Sequence, residues 1–125
     1  CPSNPWLSID PLLAIPGWKQ LLSRRSAPLV AVTPIIGGKA IKGPTAKIMA
    51  ELGLPLDVGA VVDHYRGLID GYVLDTVDAD RAGTLGLPTL VTNTLMRSLE
   101  DRTALAGATL GFCRRLEARR SETTA

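Results

Sequence analysis

Pro28-Leu29-Val30-Ala31-Val32-Thr33-Pro34-Ile35-Ile36-Gly37-Gly38-Lys39 is the stretch on which the fold turns. It begins as a short apolar, β-branched run halted by a proline, the pattern of a strand buried on both faces. Gly71-Tyr72-Val73-Leu74-Asp75 and Thr89-Leu90-Val91-Thr92-Asn93 repeat that pattern further on. Between them the spacing turns helical. Ile48, Met49 and Leu52 follow Pro44 and stop at Gly53, while Val58, Val61, Val62 and Tyr65 follow Asp57, which predicts one helix entered at a proline and one capped by an aspartate. Upstream, Asp10-Pro11 and Pro16-Gly17 predict a two-step helix over residues 10–24. Downstream, Ser98-Leu99-Glu100-Asp101 is a capping-box pattern opening a last helix, expected to bury Leu99, Ala106, Leu110 and Cys113 and to fray from Arg119 to Ala125. Helix, strand, helices, strand, short helix, strand, helix is the rhythm of an α/β protein, a Rossmann-like three-layer fold on a mostly parallel sheet. Three strands are few for such a sheet, and one more is expected before Cys1. Residues 1–125 therefore read as the C-terminal portion of a larger domain.

The 125 residues are 46% hydrophobic and 21% charged, enough to build a core and far from the composition of a disordered chain. The longest uncharged run, Ala82 to Met96, is interrupted by Gly83, Gly86 and Pro88, and is too short and too broken for a membrane span. No basic-then-apolar leader is visible, and Cys1 and Cys113 are too few for a disulfide framework, so a reducing cytoplasm is the expected setting. The net charge of +2 gives no reason to expect a nucleic acid polymer as partner. Its distribution is more informative: Lys19, Arg24, Arg25, Lys39, Lys42 and Lys47 face only Asp10 in the first third, whereas aspartates crowd residues 57–80. The first third is expected to attract a phosphate-bearing ligand. Asp75, Asp78 and Asp80 read as strand-end and cap residues rather than metal ligands, and no metal site is assigned. His64 has no serine or cysteine beside it and reads as a surface or packing residue.

Three segments have the residue types for ligand chemistry. Cys1-Pro2-Ser3-Asn4-Pro5-Trp6-Leu7-Ser8-Ile9-Asp10-Pro11 is a small polar loop entering a helix, where unpaired N–H groups and the helix dipole favour phosphate and Ser3, Asn4 and Ser8 add donors. The alternative is that Ser8 or Asp10 caps the helix and Ser3-Asn4-Pro5 is a turn. Thr33 to Pro44 is a glycine-rich loop in which Gly37 and Gly38 permit close backbone approach and Lys39 or Lys42 neutralises charge; the spacing is not that of a P-loop, and the alternative is that the glycines only form a turn. Thr92-Asn93-Thr94 lies where a last strand ends. No catalytic base is identified.

Cys1 to Gly17 and Thr33 to Pro44, with Asp70-Gly71-Tyr72-Val73-Leu74-Asp75 and Val91-Thr92-Asn93-Thr94-Leu95-Met96, together resemble the 2-phospho-L-lactate transferase family of coenzyme F-420 biosynthesis. The resemblance spans almost the whole chain, in order. It implies an enzyme that transfers a phospholactyl-type group from a guanosine diphosphate-linked donor to the deazaflavin alcohol Fo, releasing GMP with the help of Mg²⁺. By the same resemblance Ser3, Asn4 and Ser8 line the phosphate region, and Gly37, Gly38 and Lys39 close over the ligand. Many relatives carry glycine where Cys1 stands. Family chains are also longer, opening with a glycine-rich strand-turn-helix and an acidic, metal-associated segment that are not in these residues. The Mg²⁺ ligands are thus expected outside this chain, which alone is expected to be inactive. A non-catalytic nucleotide-sugar sensor, resembling the gluconeogenesis-factor proteins, is the competing reading. Exposed sheet edges would also suit a homodimer.

Overall fold

The three apolar runs form strands, as expected, and the computed structural model describes residues 3–124; expectations placed on Cys1, Pro2 and Ala125 lie outside the described residues. β1 (Val30–Val32), β4 (Gly71–Asp75) and β5 (Thr89–Thr92) make a parallel sheet in the order β1-β4-β5, with Val30 opposite Gly71 and Tyr72 opposite Thr89. Between β1 and β4 the chain adds β2 (Ile35–Ile36) and β3 (Lys39–Ala40), an antiparallel hairpin apart from the main sheet. Its two turn residues, Gly37 and Gly38, both have positive φ, 55° and 70°. That is the backbone of a two-residue hairpin turn whose twist matches its strands. The glycine-rich loop expected here is therefore a hairpin.

Helices cover both faces of the sheet, giving the three-layer α/β architecture. α1 (Asp10–Leu13) and α2 (Trp18–Ser23) are the two steps foreseen, but the helical path starts earlier, in a π-helical turn over Pro5–Ile9. α3 (Thr45–Glu51) begins just after Pro44, and α4 (Val58–His64) is capped by Asp57, whose Oδ1 accepts the Ala60 N–H at 2.9 Å. A 3₁₀ segment, Thr76–Thr84, joins β4 to β5, and α5 (Leu99–Thr124) follows. Side chains alternate across a strand, so β4 sends Tyr72 and Leu74 into a core with Ile35, Met49, Val58 and Val61, and Val73 into a second core with Leu105, Phe112 and Leu116. All five β4 residues are buried.

Two expectations about α5 are corrected. The face on the sheet is Leu105, Phe112 and Leu116, while Leu99 is 70% exposed and Leu110 60% exposed; Ala106 is exposed and Cys113 only partly buried. Apolar residues occur all round this helix, so periodicity alone selects no face; the reach of Phe112 over the glycine at the start of β4 does. The tail does not fray at Arg119 but stays helical to Thr124. The capping box is formed: Ser98 Oγ accepts the Asp101 N–H at 3.1 Å, and Asp101 Oδ2 accepts the N–H groups of Ser98 and Arg97 at 3.0 and 2.8 Å.

Candidate functional site

A cavity of about 300 Å³ opens beyond the carboxyl ends of the sheet strands, the place where open α/β sheets bind ligands. β1 contributes the Thr33-Pro34 exit, the segment after β5 contributes Thr94, Leu95 and Met96, and the hairpin and its outgoing loop contribute Ile36, Ile41, Lys42 and Gly43. Asn4 and the start of α3, Pro44 and Thr45, close the remaining side. The lining is thus an apolar wall with a few convergent polar groups: an amide, three threonine hydroxyls and an ammonium.

Each polar group is set by local structure. Asn4 has two tasks. Its Oδ1 accepts the N–H groups of Trp6 and Leu7, both at 3.0 Å, capping the π-helical turn, and its Nδ2 donates to Thr45 Oγ1 at 3.0 Å. Pro5 at the first helical position suits that cap, since its missing N–H would have gone unpaired. The turn is also held from the side: His64 Nε2 lies 2.8 Å from Asp10 Oδ1, and the Trp6 ring packs on the imidazole at a centroid distance of 5.2 Å. His64 thus fastens the entering loop to α4 and is no bare surface residue.

Thr94 is fixed through Asp75, the last residue of β4. Asp75 is 3% exposed, and its carboxylate accepts the Thr94 N–H at 2.8 Å, the Thr94 hydroxyl at 3.0 Å, the Val77 N–H at 3.0 Å and the Thr76 hydroxyl at 3.3 Å. Burial by itself would raise the Asp75 pKa, but these hydrogen bonds to the charged form prevail and hold the carboxyl below the usual range. Asp75 is therefore an acceptor with no capacity left over. Among the described residues no group of three or more acidic, histidine or cysteine side chains is placed to share a cation. The cavity lining also has no carboxylate, the ligand Mg²⁺ prefers, so these residues do not fit an Mg²⁺ site and no step is assigned to the ion here.

Of Ser3, Asn4, Ser8, Gly37, Gly38 and Lys39, the residues the resemblance assigns to the ligand, only Asn4 lines this cavity. Ser8 is exposed on the π-helical turn, and Ser3 lines a different groove, beside β1. Gly37 and Gly38 form the hairpin turn, with the Gly37 N–H donating to Asp78 Oδ2 at 2.9 Å. Lys39 pairs with Ile36 across the hairpin, but it is exposed and is not in the cavity lining. Lys42, the other lysine considered, is in the lining, as is Thr94 from the third segment. Thr33 and Thr45 were not singled out. A threonine directly after a proline at a helix entry was the available sign of Thr45.

The family model for "2-phospho-L-lactate transferase CofD" matches residues 1–85. The chain is 38% identical over 112 residues to the 2-phospho-L-lactate transferase of Methanocaldococcus jannaschii, covering 90% of this chain and 35% of that protein. It is 39% identical over 102 residues to the enzyme of the same name from Methanococcoides burtonii, covering 79% and 33%. With the phosphoenolpyruvate transferase of Streptomyces coelicolor it shares 41% identity over 80 residues, covering 63% and 25%. The chain thus spans about a third or less of the length of these relatives. A match over two-thirds of its residues settles the kinship: the chain belongs to the 2-phospho-L-lactate transferase CofD family.

Proposed function

We propose that these residues form one wall of the active site of a transferase that moves a phospholactyl-type group from a guanosine diphosphate-linked donor to the deazaflavin Fo, releasing GMP. The observation that carries the reading is the convergence of Asn4, Lys42, Thr45 and Thr94 on one cavity at the strand ends, in a chain of this family. In such a transfer a hydroxyl oxygen of the acceptor bonds to the phosphorus nearer the lactyl group, the bond from that phosphorus to GMP breaks, and the hydroxyl proton departs. Little covalent work falls to the protein, so rate depends on alignment and on neutralising phosphoryl charge. Lys42 supplies positive charge and the Thr45 hydroxyl, which accepts from Asn4 and keeps its own proton, supplies a donor; the Thr94 hydroxyl spends its proton on Asp75, while Ile36, Ile41 and Met96 exclude water from the apolar side. Mg²⁺ belongs to the proposal with its ligands outside these residues. The setting we propose is cytoplasmic; no helix of the described residues is long and apolar enough to cross a membrane.

The test is GMP release by the polypeptide at the length of its relatives, supplied with the guanosine diphosphate-linked lactyl donor, Fo and Mg²⁺. Lys42→Ala is expected to reduce kcat/KM about 100-fold, roughly the effect of removing one charge-stabilising donor. The 125-residue chain alone is expected to release no GMP. Activity unaffected by Lys42→Ala would refute the assignment of this cavity, and preferential binding of uridine over guanosine diphosphates would favour the nucleotide-sugar sensor instead.

A further inference from the structure

The hairpin that walls the cavity is pinned at its base and at its tip. At the base Ile35 is fully buried in the core with Met49 and Val58, and Ala40 packs against that core. At the tip the Gly37 N–H donates to Asp78 Oδ2 at 2.9 Å, and Val77 Cγ1 lies so near that a Cβ on Gly37 would meet it at 3.1 Å. Strands of two residues, set apart from the main sheet, are too short to keep one orientation by their own ladder. The tip contact therefore decides the angle at which the hairpin stands, and with it where Ile36, Ile41, Lys42 and Gly43 meet the cavity. The 3₁₀ segment that carries Asp78 follows directly on Asp75, which fixes Thr94. Two carboxylates three residues apart thus set two walls of one cavity, one through Thr94 and one through the hairpin. They differ in one respect. The Asp75 bonds are buried, whereas the Gly37 bond to Asp78 lies at the surface, where water replaces a lost partner and little stability goes with it.

We infer that Asp78 is a positioning residue of the cavity: through the Gly37 N–H it latches the hairpin in the arrangement that receives a phosphate-bearing ligand. The inference rests on the proposed reading of this cavity as a transferase site. With the latch gone the hairpin pivots on Ile35 and has to be ordered when ligand binds, so apparent affinity falls in proportion to the fraction of molecules that have it in place. Once the ligand is bound the same groups face it as before. The loss therefore belongs in KM and leaves kcat as it was.

The test compares Asp78→Ala, Asp78→Asn and Asp80→Ala in the polypeptide at the length of its relatives, by steady-state GMP release and by trypsin cleavage after Lys39 and Lys42 followed by mass spectrometry. Asp78→Ala is expected to raise KM for the guanosine diphosphate-linked donor about tenfold at unchanged kcat, as a latched fraction near one falls to about a tenth. Cleavage at the two hairpin lysines, which tracks the open population, should quicken by at least about tenfold while cleavage after Lys19 keeps its rate. Asp78→Asn retains an acceptor oxygen and should restore both readouts. Asp80→Ala removes an equal charge from the same segment and should change neither. Unchanged KM in Asp78→Ala would overturn the inference, whatever the cleavage rate, because the bond would then serve the fold and not the cavity. A KM in Asp78→Asn as high as in Asp78→Ala would overturn it too, since charge and not the hydrogen bond would matter. If the wild type releases no GMP, the transfer reaction fails as a reading, and the concentration of guanosine diphosphate that protects the hairpin bonds from trypsin decides. A requirement about tenfold higher in Asp78→Ala supports the latch, and equal requirements, or no protection at all, overturn it.

Discussion

Asp75 shows how one side chain can tie strand end to site. Four donors converge on a carboxylate that is almost entirely out of water, and each finds an acceptor there. An asparagine has half the acceptor capacity and brings donors of its own, so Asp75→Asn should strand buried N–H or O–H groups at a cost of about 3 kcal/mol. Its folded pKa is depressed, so the charged form contributes stability above the unfolded carboxylate value of about 4 and loses it as pH falls through the folded value. Urea midpoints should therefore differ between wild type and Asp75→Asn at pH 7 and converge as pH drops below about 4. A gap that does not narrow at all as pH falls below about 4 would show that the charge is not what matters. Asn4 permits a finer dissection. Asn4→Ala removes the cap and should cost about 1 kcal/mol, whereas Asn4→Asp keeps the capping oxygen and loses only the donor to Thr45. Thermal melts should rank wild type above Asn4→Asp above Asn4→Ala. Sequence singled out Asn4 because a small polar residue before a helix suits either a ligand or a cap; geometry shows the cap oxygen engaged while the residue still borders the cavity. Ser3 and Ser8 looked equivalent on paper, and nothing local distinguishes three polar residues until the π-helical turn fixes which of them faces inward.

At the level of elements, the strands were legible because β-branched runs bounded by proline and glycine have few other uses, and the caps of α4 and α5 were legible because their signals lie within four residues. The hairpin is harder to read. Two isoleucines, two glycines and Lys39-Ala40 make a hairpin signature in miniature, but such short strands look like loop when the flanking residues are prolines and lysines. The face of α5 is not legible in its own sequence for a different reason, which is that its register depends on a glycine 41 residues earlier, Gly71 against Phe112. A Cβ on Gly71 would sit 2.7 Å from Phe112 Cε1 and 2.9 Å from Leu116 Cδ1. The strand therefore admits α5 only because that position is bare. Gly71→Ala should destabilise the fold by about 2 kcal/mol through overpacking, and Gly71→Ala with Phe112→Leu should recover part of that loss. Chemical denaturation of the two variants measures both terms, and additivity would show that the glycine and the ring do not meet. Gly37 is constrained twice over, by φ of 55° and by Val77 Cγ1 at 3.1 Å from an added Cβ, so the hairpin turn is anchored on the 3₁₀ segment as well as by its own backbone.

For the whole molecule, the decisive feature is that two cores share one strand. Tyr72 and Leu74 serve the core under α3 and α4, Val73 serves the core under α5, and all five residues of β4 are buried. Neither layer can then open without exposing the back of β4, so the described residues should unfold as one cooperative unit even though the layers barely touch each other. Removing a large side chain from either core probes this directly. Met49→Ala on one side and Phe112→Ala on the other should each cost about 3 kcal/mol. For a chain of this size that lowers Tm by roughly 10 °C, and circular dichroism and Trp6 fluorescence should report the same midpoint in both variants. Trp6 packs against the first core, whereas the helical signal sums α5 over the second core with the helices of the other layer, so loss of α5 alone would lower ellipticity before the fluorescence changes. Midpoints that separate by more than a few degrees in Phe112→Ala would mean that α5 detaches while the cavity side holds. In that case β4 would not couple the layers, and the site would depend on α3, α4 and the hairpin alone.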